Sequence, residues 1–221
     1  MRDAFGHVRH WVFDLDNTLY PPAVRLFDQI EARMTAWVME ALGVPRAEAD
    51  RLRAHYWSEH GTTLAGLMAR HEVDAARFLR DVHEIDFGAL SPDPELRARL
   101  SDLPGRRVVF TNGTAAYAER VIEARGLSGA FDAVLGIEEA GLVPKPHRAA
   151  FDAVFAMAGV HGPEGAMFED EARNLAVPHE MGLRTVHVAP APAPAAHVHH
   201  HTDDLTGFLS RLLPARAGAP S

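Results

Sequence analysis

Asp14-Leu15-Asp16-Asn17-Thr18 directly follows the short apolar run His10-Trp11-Val12-Phe13. Two carboxylates two residues apart at a strand end can divide the work of phosphoryl transfer. That reaction needs a nucleophile, a proton donor for the leaving oxygen and positive charge against the phosphate. In this reading Asp14 attacks phosphorus and Asp16 protonates the leaving alcohol. Carboxylates alone repel a phosphate dianion, so a cation has to sit with them. Mg2+ suits the place, because it accepts one or two carboxylates together with waters and a substrate oxygen. A lone Asp-x-Asp can equally be a solvated turn.

Three further strand ends narrow the choice. Thr111-Asn112-Gly113 follows Arg107-Val108-Val109-Phe110 and precedes a helical pattern. A hydroxyl and backbone N–H groups then stand where anions bind at a helix start, although a plain N-cap turn looks the same. Lys145 lies between prolines in Val143-Pro144-Lys145-Pro146, just ahead of another helix. Glu169-Asp170 ends the run Gly165-Ala166-Met167-Phe168. An acidic pair there can complete an oxygen-ligand metal site or complement a helix dipole. Their shared position at the carboxyl ends of elements says more than any one fragment.

The elements that must position these groups alternate. Apolar runs at 10–13, 107–110, 165–168 and 184–188 read as buried strands, with 131–137 a weaker fifth. Helical patterns occupy 115–125, 148–158 and 175–181, and a last helix starts near Asp203-Asp204 with Leu205, Phe208, Leu209 and Leu212 on one face. This order predicts right-handed crossovers and an α/β fold with a parallel, Rossmann-like sheet. Ligands of such sheets bind beyond the carboxyl ends of the strands.

One interval breaks the alternation. From about residue 23 to 90 the periodicity is helical, with Leu26, Ile30, Met34, Trp37 and Val38 on one face. Further helices are expected over 46–57, 63–70 and 75–82. Prolines at 21–22 and at 92 and 94 bound the interval. The expectation is a core of residues 1–20 and 91–221 with a helical cap inserted at 21–90. The stretch 190–196 reads as an extended Pro/Ala loop.

Composition closes off other classes. The chain has 221 residues, no cysteine, 47% hydrophobic residues and a formal charge of −8. Disulfides and thiolate metal sites are therefore absent, and the acidic balance argues against nucleic-acid binding, which rests on Lys and Arg. The expected partner is a small phosphorylated molecule, which one local lysine can serve. No stretch has the length of a membrane helix and the first ten residues lack a signal-type apolar run, so the expectation is a cytoplasmic protein with no membrane partner.

The four motifs, in order, resemble those of the haloacid dehalogenase-like hydrolase superfamily, and the helical insert resembles its cap. Within it the chain is similar to bacterial pyrimidine 5′-nucleotidases. That likeness is carried by Asp16-Asn17-Thr18-Leu19-Tyr20-Pro21, Gly61-Thr62-Thr63-Leu64-Ala65-Gly66-Leu67, Val82-His83-Glu84-Ile85-Asp86, and Phe168-Glu169-Asp170 followed by Arg173-Asn174-Leu175. The resemblance implies Mg2+-dependent hydrolysis of pyrimidine nucleoside 5′-monophosphates through an aspartyl-phosphate on Asp14. It implies that Asp16 is general acid and then base, lending its backbone carbonyl to the metal. Thr111 and the Asn112 backbone hold phosphate oxygens, Lys145 neutralises nucleophile and phosphate, and Asp170 ligates Mg2+ with Glu169 acting through water. Asn174 orients the acidic loop. His60 departs from the tyrosine expected before Gly-Thr-Thr. A phosphatase for sugar phosphates or another small metabolite is the alternative, followed by a non-catalytic phosphate-binding regulator.

Selectivity has to come from the cap, where Thr62 and Thr63 can either meet a pyrimidine carbonyl or cap a helix. Trp37, Tyr56 and Trp57 read chiefly as core, with stacking on a base the other option. His83 and Asp86 read chiefly as a satisfied pair on a helix end, with polar cap residues facing the crevice the other option. His197, His199, His200 and His201 lie in the Pro-rich loop without metal-ligand spacing.

Overall fold

The computed structural model describes residues 2–212. Helix α1 (Arg2–Phe5) leads into strand β1 (His10–Phe13), after which come four helices without an intervening strand. These are α2 (Leu26–Leu42), α3 (Arg46–His60), α4 (Thr63–Arg70) and α5 (Ala75–Val82). The alternation then resumes: α6 (Pro94–Asp102), β2 (Arg106–Phe110), α7 (Ala115–Ala124), β3 (Ala133–Leu135), α8 (Arg148–Ala158), β4 (Gly165–Glu169), α9 (Ala176–Glu180), β5 (Arg184–Val188), β6 (His200–Thr202) and α10 (Leu205–Leu212). The six strands form one sheet in the order β3-β2-β1-β4-β5-β6, and every pairing is parallel.

Helices cover both faces of this sheet, which is why its strands read as continuous apolar runs. Trp11 and Phe13 pack into one core with Val109, Phe168, Val121 and Phe208. Val12 points the other way, into a second core with Val108, Phe110, Met167, Phe151 and Phe155. Alternate residues of one strand therefore serve opposite layers. The register aligns Phe13 with Val109 on one side and with Phe168 on the other. The chains leaving β1, β2 and β4 thus emerge side by side, and every motif residue of those three strands lands at one sheet edge.

The helices between β1 and α6 build their own packing layer. Leu26, Ile30, Trp37 and Val38 of α2 are buried, and Trp37 meets Phe78 of α5 edge-on at 5.1 Å. Thr62 starts α4 by accepting from the Ala65 N–H at 3.1 Å, and Asp74 and Asp93 start α5 and α6 in the same way.

Two elements depart from the sequence expectation. Helix α6 is not among the expected helices and begins at Pro94, whose fixed φ suits a first helical turn. The histidine tract is not all loop: His200 to Thr202 form the edge strand β6 beside β5. A short edge strand of polar residues carries no apolar run to reveal it. The imidazoles serve the backbone, with His197 Nε2 at 2.9 Å from the Ala172 carbonyl and His201 Nε2 at 2.8 Å from that of Ala189.

Candidate active site

Lys145 is the hub. Its Nζ donates to Asp14 Oδ1 at 2.7 Å, to Glu169 Oε2 at 2.6 Å and to the Phe110 carbonyl at 3.0 Å. The side chain is 1% exposed, as is Glu169. Three segments that are far apart in sequence are tied together by one ammonium. Asn112 fixes the loop that delivers it, accepting from the Lys145 backbone N–H at 2.8 Å and donating to the Lys145 carbonyl at 3.3 Å. The Asn112 side chain is therefore a brace between two loops, a role the sequence did not reveal.

Asp14 leaves β1 with its N–H bonded to the Phe168 carbonyl at 2.9 Å, and its Oδ2 accepts from Thr18 Oγ1 at 3.1 Å. Carboxylate oxygens of Asp14, Glu169 and Asp170 lie within 4.8 Å of one another, the one such acid or imidazole cluster among the described residues. Asn17 Nδ2 donates to Asp170 Oδ2 at 3.2 Å, and Asn174 Nδ2 donates to Glu169 Oε1 at 3.1 Å. Asp16 is not part of that cluster: Tyr20 and Tyr117 both donate to its Oδ1 at 2.6 Å.

The electrostatics follow from burial. Burial first, then repulsion from Glu169, push the Asp14 carboxyl up, with Lys145 opposing. Asp170 is pushed up by burial, Asp14 and Glu169, against the Asn17 hydrogen bond. Burial also raises Asp16, opposed by the hydroxyls of Tyr117 and Tyr20. On Lys145 burial works against the charge, but Asp14 and Glu169 outweigh it and hold the ammonium more firmly protonated. Asp14 and Glu169 thus share the Lys145 ammonium, and Asp170 stands beside them. Their donor set, hard oxygens closely spaced, fits a divalent ion of the Mg2+ type.

Thr111 is buried at the end of β2 with its Oγ1 accepting from the Gly113 N–H at 2.9 Å. Above the sheet edge a cavity of about 610 Å³ separates these groups from the inserted helices. Asp14, Asp16, Thr111, Asn112, Lys145 and Asp170 line its floor, and Thr62, Thr63, Trp57 and His83 stand among its walls. Gly61 holds φ +88° at the loop before α4, and a Cβ there would lie 3.0 Å from the Lys145 carbonyl. The loop can therefore sit directly on the Lys145 segment. Arg173 fastens it further, donating to the carbonyls of Trp57 at 3.1 Å and Gly61 at 3.3 Å, with its guanidinium 3.7 Å from the centre of the Trp57 ring.

Of the three aromatic residues singled out in the sequence, Trp37 and Tyr56 are buried, and Tyr56 bonds His71 at 2.8 Å. Only Trp57 lines the cavity. The expected His83–Asp86 pair does not form. His83 instead stacks on Tyr117 at 4.4 Å, while Asp86 accepts from the Gly88 N–H and bonds Gln29 through its backbone. Helix α5 ends at Val82, ahead of both positions, so the chain between them is irregular and sequence proximity did not bring the side chains together.

Residues 8–182 match the sequence profile of the haloacid dehalogenase-like hydrolases. The chain belongs to that family. Among curated proteins it is 26% identical, over 189 residues, to phosphate metabolism protein 8 of Saccharomyces cerevisiae (strain ATCC 204508 / S288c). That alignment covers 77% of this chain but only 58% of the yeast protein. A phosphatase of the family from Thermococcus onnurineus superposes with a TM-score of 0.61 at 16% identity, covering 93% of this chain and 98% of its own. The 2-haloacid dehalogenase from Pseudomonas syringae pv. Tomato DC3000 gives 0.57 at 20% identity, with the same coverage. Likenesses at this level show that the haloacid dehalogenase-like hydrolase fold is shared, and they leave the reaction to be argued from the site. Among the described residues no helix is long and apolar enough to cross a membrane.

Proposed function

We propose that the protein is a Mg2+-dependent phosphomonoesterase acting through an aspartyl-phosphate, with pyrimidine nucleoside 5′-monophosphates as its preferred substrates. The observation that carries the reaction class is the excess of buried carboxylate. Displacing a halide from carbon needs one nucleophile, and the departing halide takes no proton. Of Asp16, Glu169 and Asp170, one could serve as base when water hydrolyses the ester left on Asp14, and the others would only add repulsion around it. In the cleavage of a phosphate ester every one of these groups is used, as acid and base, as metal ligand or as counter-charge.

Asp14, the Asp16 backbone carbonyl and Asp170 would hold Mg2+, which supplies charge neutralisation for the phosphate when bound. The remaining work falls to side chains of this chain. Asp14 forms a bond to phosphorus as the ester P–O bond breaks, and Asp16 gives its proton to the departing oxygen. Water then attacks phosphorus, Asp16 takes the proton back, and Asp14 is released. Thr111 and the Asn112 backbone hold the phosphate oxygens, and Lys145 keeps Asp14 ionised and aligned. Glu169, bonded to Lys145 and Asn174, fixes the ammonium and stands beside the metal site, which it would reach through water.

The base preference rests on the walls of the cavity. The floor grips only phosphate, so discrimination falls to the inserted helices, taken as a cap over residues 21–90. Thr62 is held against the start of α4 by its capping bond, and Thr63, buried beside it and lining the cavity, is the donor proposed for the carbonyl common to uracil and cytosine. A phosphate-release panel tests the whole reading. UMP, CMP and dTMP should turn over faster than AMP, GMP and sugar phosphates. EDTA should abolish release and Mg2+ restore it, whereas Asp14→Asn should leave a folded, inactive protein. Equal rates on UMP and AMP would remove the pyrimidine preference, activity in EDTA the metal, and a normal Asp14→Asn the covalent route.

A further inference from the structure

We propose that Tyr20 and Tyr117 form a two-hydroxyl clamp that decides which oxygen of Asp16 carries the proton exchanged with the substrate. They are positioning residues, and the inference rests on the phosphomonoesterase reading above. Both hydroxyls donate to the same atom, Asp16 Oδ1, each at 2.6 Å. A protonated carboxyl has one carbonyl-type oxygen with two acceptor sites and one hydroxyl oxygen. Two phenolic donors occupy both sites on Oδ1, so the proton belongs on Oδ2. Asp16 lines the cavity, while both tyrosines are 1% exposed and stand behind it. The oxygen left unclamped is the one for the leaving group.

Each tyrosine is itself fixed. Tyr20 follows Asp16 by four residues, in a turn closed by the Leu19 N–H on the Leu15 carbonyl at 2.9 Å. Tyr117 lies in the first turn of α7, where its N–H is capped by Thr114 Oγ1 at 3.1 Å, and its ring lies against His83 with an interplanar angle of 11°. The terminal torsion of an aspartate is otherwise soft, and a freely turning carboxyl would present either oxygen.

The clamp also survives turnover. As the bond from Asp14 to phosphorus forms and the ester P–O bond breaks, the proton on Oδ2 passes to the leaving oxygen. The attacking water later returns a proton to Oδ2 as the Asp14–phosphorus bond breaks. Oδ1 is an acceptor in both states, so neither tyrosine has to move.

The test is leaving-group dependence in Tyr20→Phe, Tyr117→Phe and the double variant, which keep the ring volume. kcat/KM reports transfer to Asp14, and it should be compared for UMP, with an alkoxide leaving group, and for p-nitrophenyl phosphate, whose phenolate leaves without help. General acid catalysis is typically worth about 10²–10⁴-fold, so loss of alignment should cut the UMP value at least about tenfold more than the aryl value, with the double variant worst. An equal fall on both esters, or no fall, overturns the clamp while leaving the phosphomonoesterase reading intact. Should the double variant fail to fold, the single variants give the same comparison. A wild-type protein that releases phosphate from neither ester overturns the phosphomonoesterase reading, and the clamp with it.

Discussion

Replacing Lys145 by methionine keeps length and apolar volume but removes the cation that, among the described residues, is bonded to both Asp14 and Glu169. Its three hydrogen bonds are lost, and two carboxylates at most 8% exposed face each other without a counter-ion. Breaking a buried pair from one side costs about 3–5 kcal/mol, a large part of the roughly 5–15 kcal/mol that holds a domain together. The variant should therefore fold but unfold at clearly lower urea. Burial and mutual repulsion already push Asp14 up, and losing Lys145 pushes it further. A carboxyl whose folded value lies above its unfolded one supports the fold while protonated and loses that support as pH rises. The deficit should thus be larger at pH 8.5 than at pH 6. Urea unfolding followed by tryptophan fluorescence, in EDTA, measures both numbers. Adding Glu169→Gln to Lys145→Met should recover at least about 1.5 kcal/mol, because one of the stranded charges disappears. A loss below about 1 kcal/mol at pH 8.5, or an equal loss at both pH values, would refute the view of Lys145 as the counter-ion that makes this site foldable.

Two further outcomes are expected. Thr62→Ala should cost about 1 kcal/mol through the lost cap of α4 and leave the UMP-to-AMP ratio unchanged, whereas Thr63→Val should lower that ratio; the reverse pattern would exchange their roles. Burial pushes His83 down to about 4, below the roughly 6.5 of an unfolded histidine, so stability should fall by up to about 3 kcal/mol as pH drops through that window. His83→Phe keeps a ring against Tyr117 and should flatten the slope, and an unchanged slope would place the acid sensitivity elsewhere.

The parallel strands that end in the motifs were legible because helices on both faces force their sequences into unbroken apolar runs, and a polar residue after such a run marks the sheet edge. Lys145 stood out for its prolines, but its bonds did not. Nothing local tells that an ammonium after residue 144 reaches the ends of β1 and β4. Tyr20 and Tyr117 were hidden for a related reason. A buried tyrosine looks like any other apolar residue in a pattern, and only the fold shows that two hydroxyls separated by all four inserted helices, α6 and β2 converge on Asp16. The interval Asp16 to Tyr20 was the one hint, since four residues is one turn of chain. Strand β6 escaped because its residues follow no apolar period, its place being set by a neighbour strand, and helix α6 because Leu96 and Leu100 are its only buried apolar residues in a charged stretch bounded by prolines.

The Asp14–Lys145 contact joins residues 131 positions apart, and this has a consequence for the order of folding. Contacts of such long span form late, since the chain between them must be ordered before they close. The inserted helices contact one another over shorter spans and can order before that contact closes. Far-ultraviolet signal should therefore return before catalytic competence during refolding, and an incomplete chain emerging from synthesis holds Asp14 and Asp16 for more than a hundred residues before their counter-ion arrives. A fully assembled reaction centre is thus a late report that the whole sheet is in place.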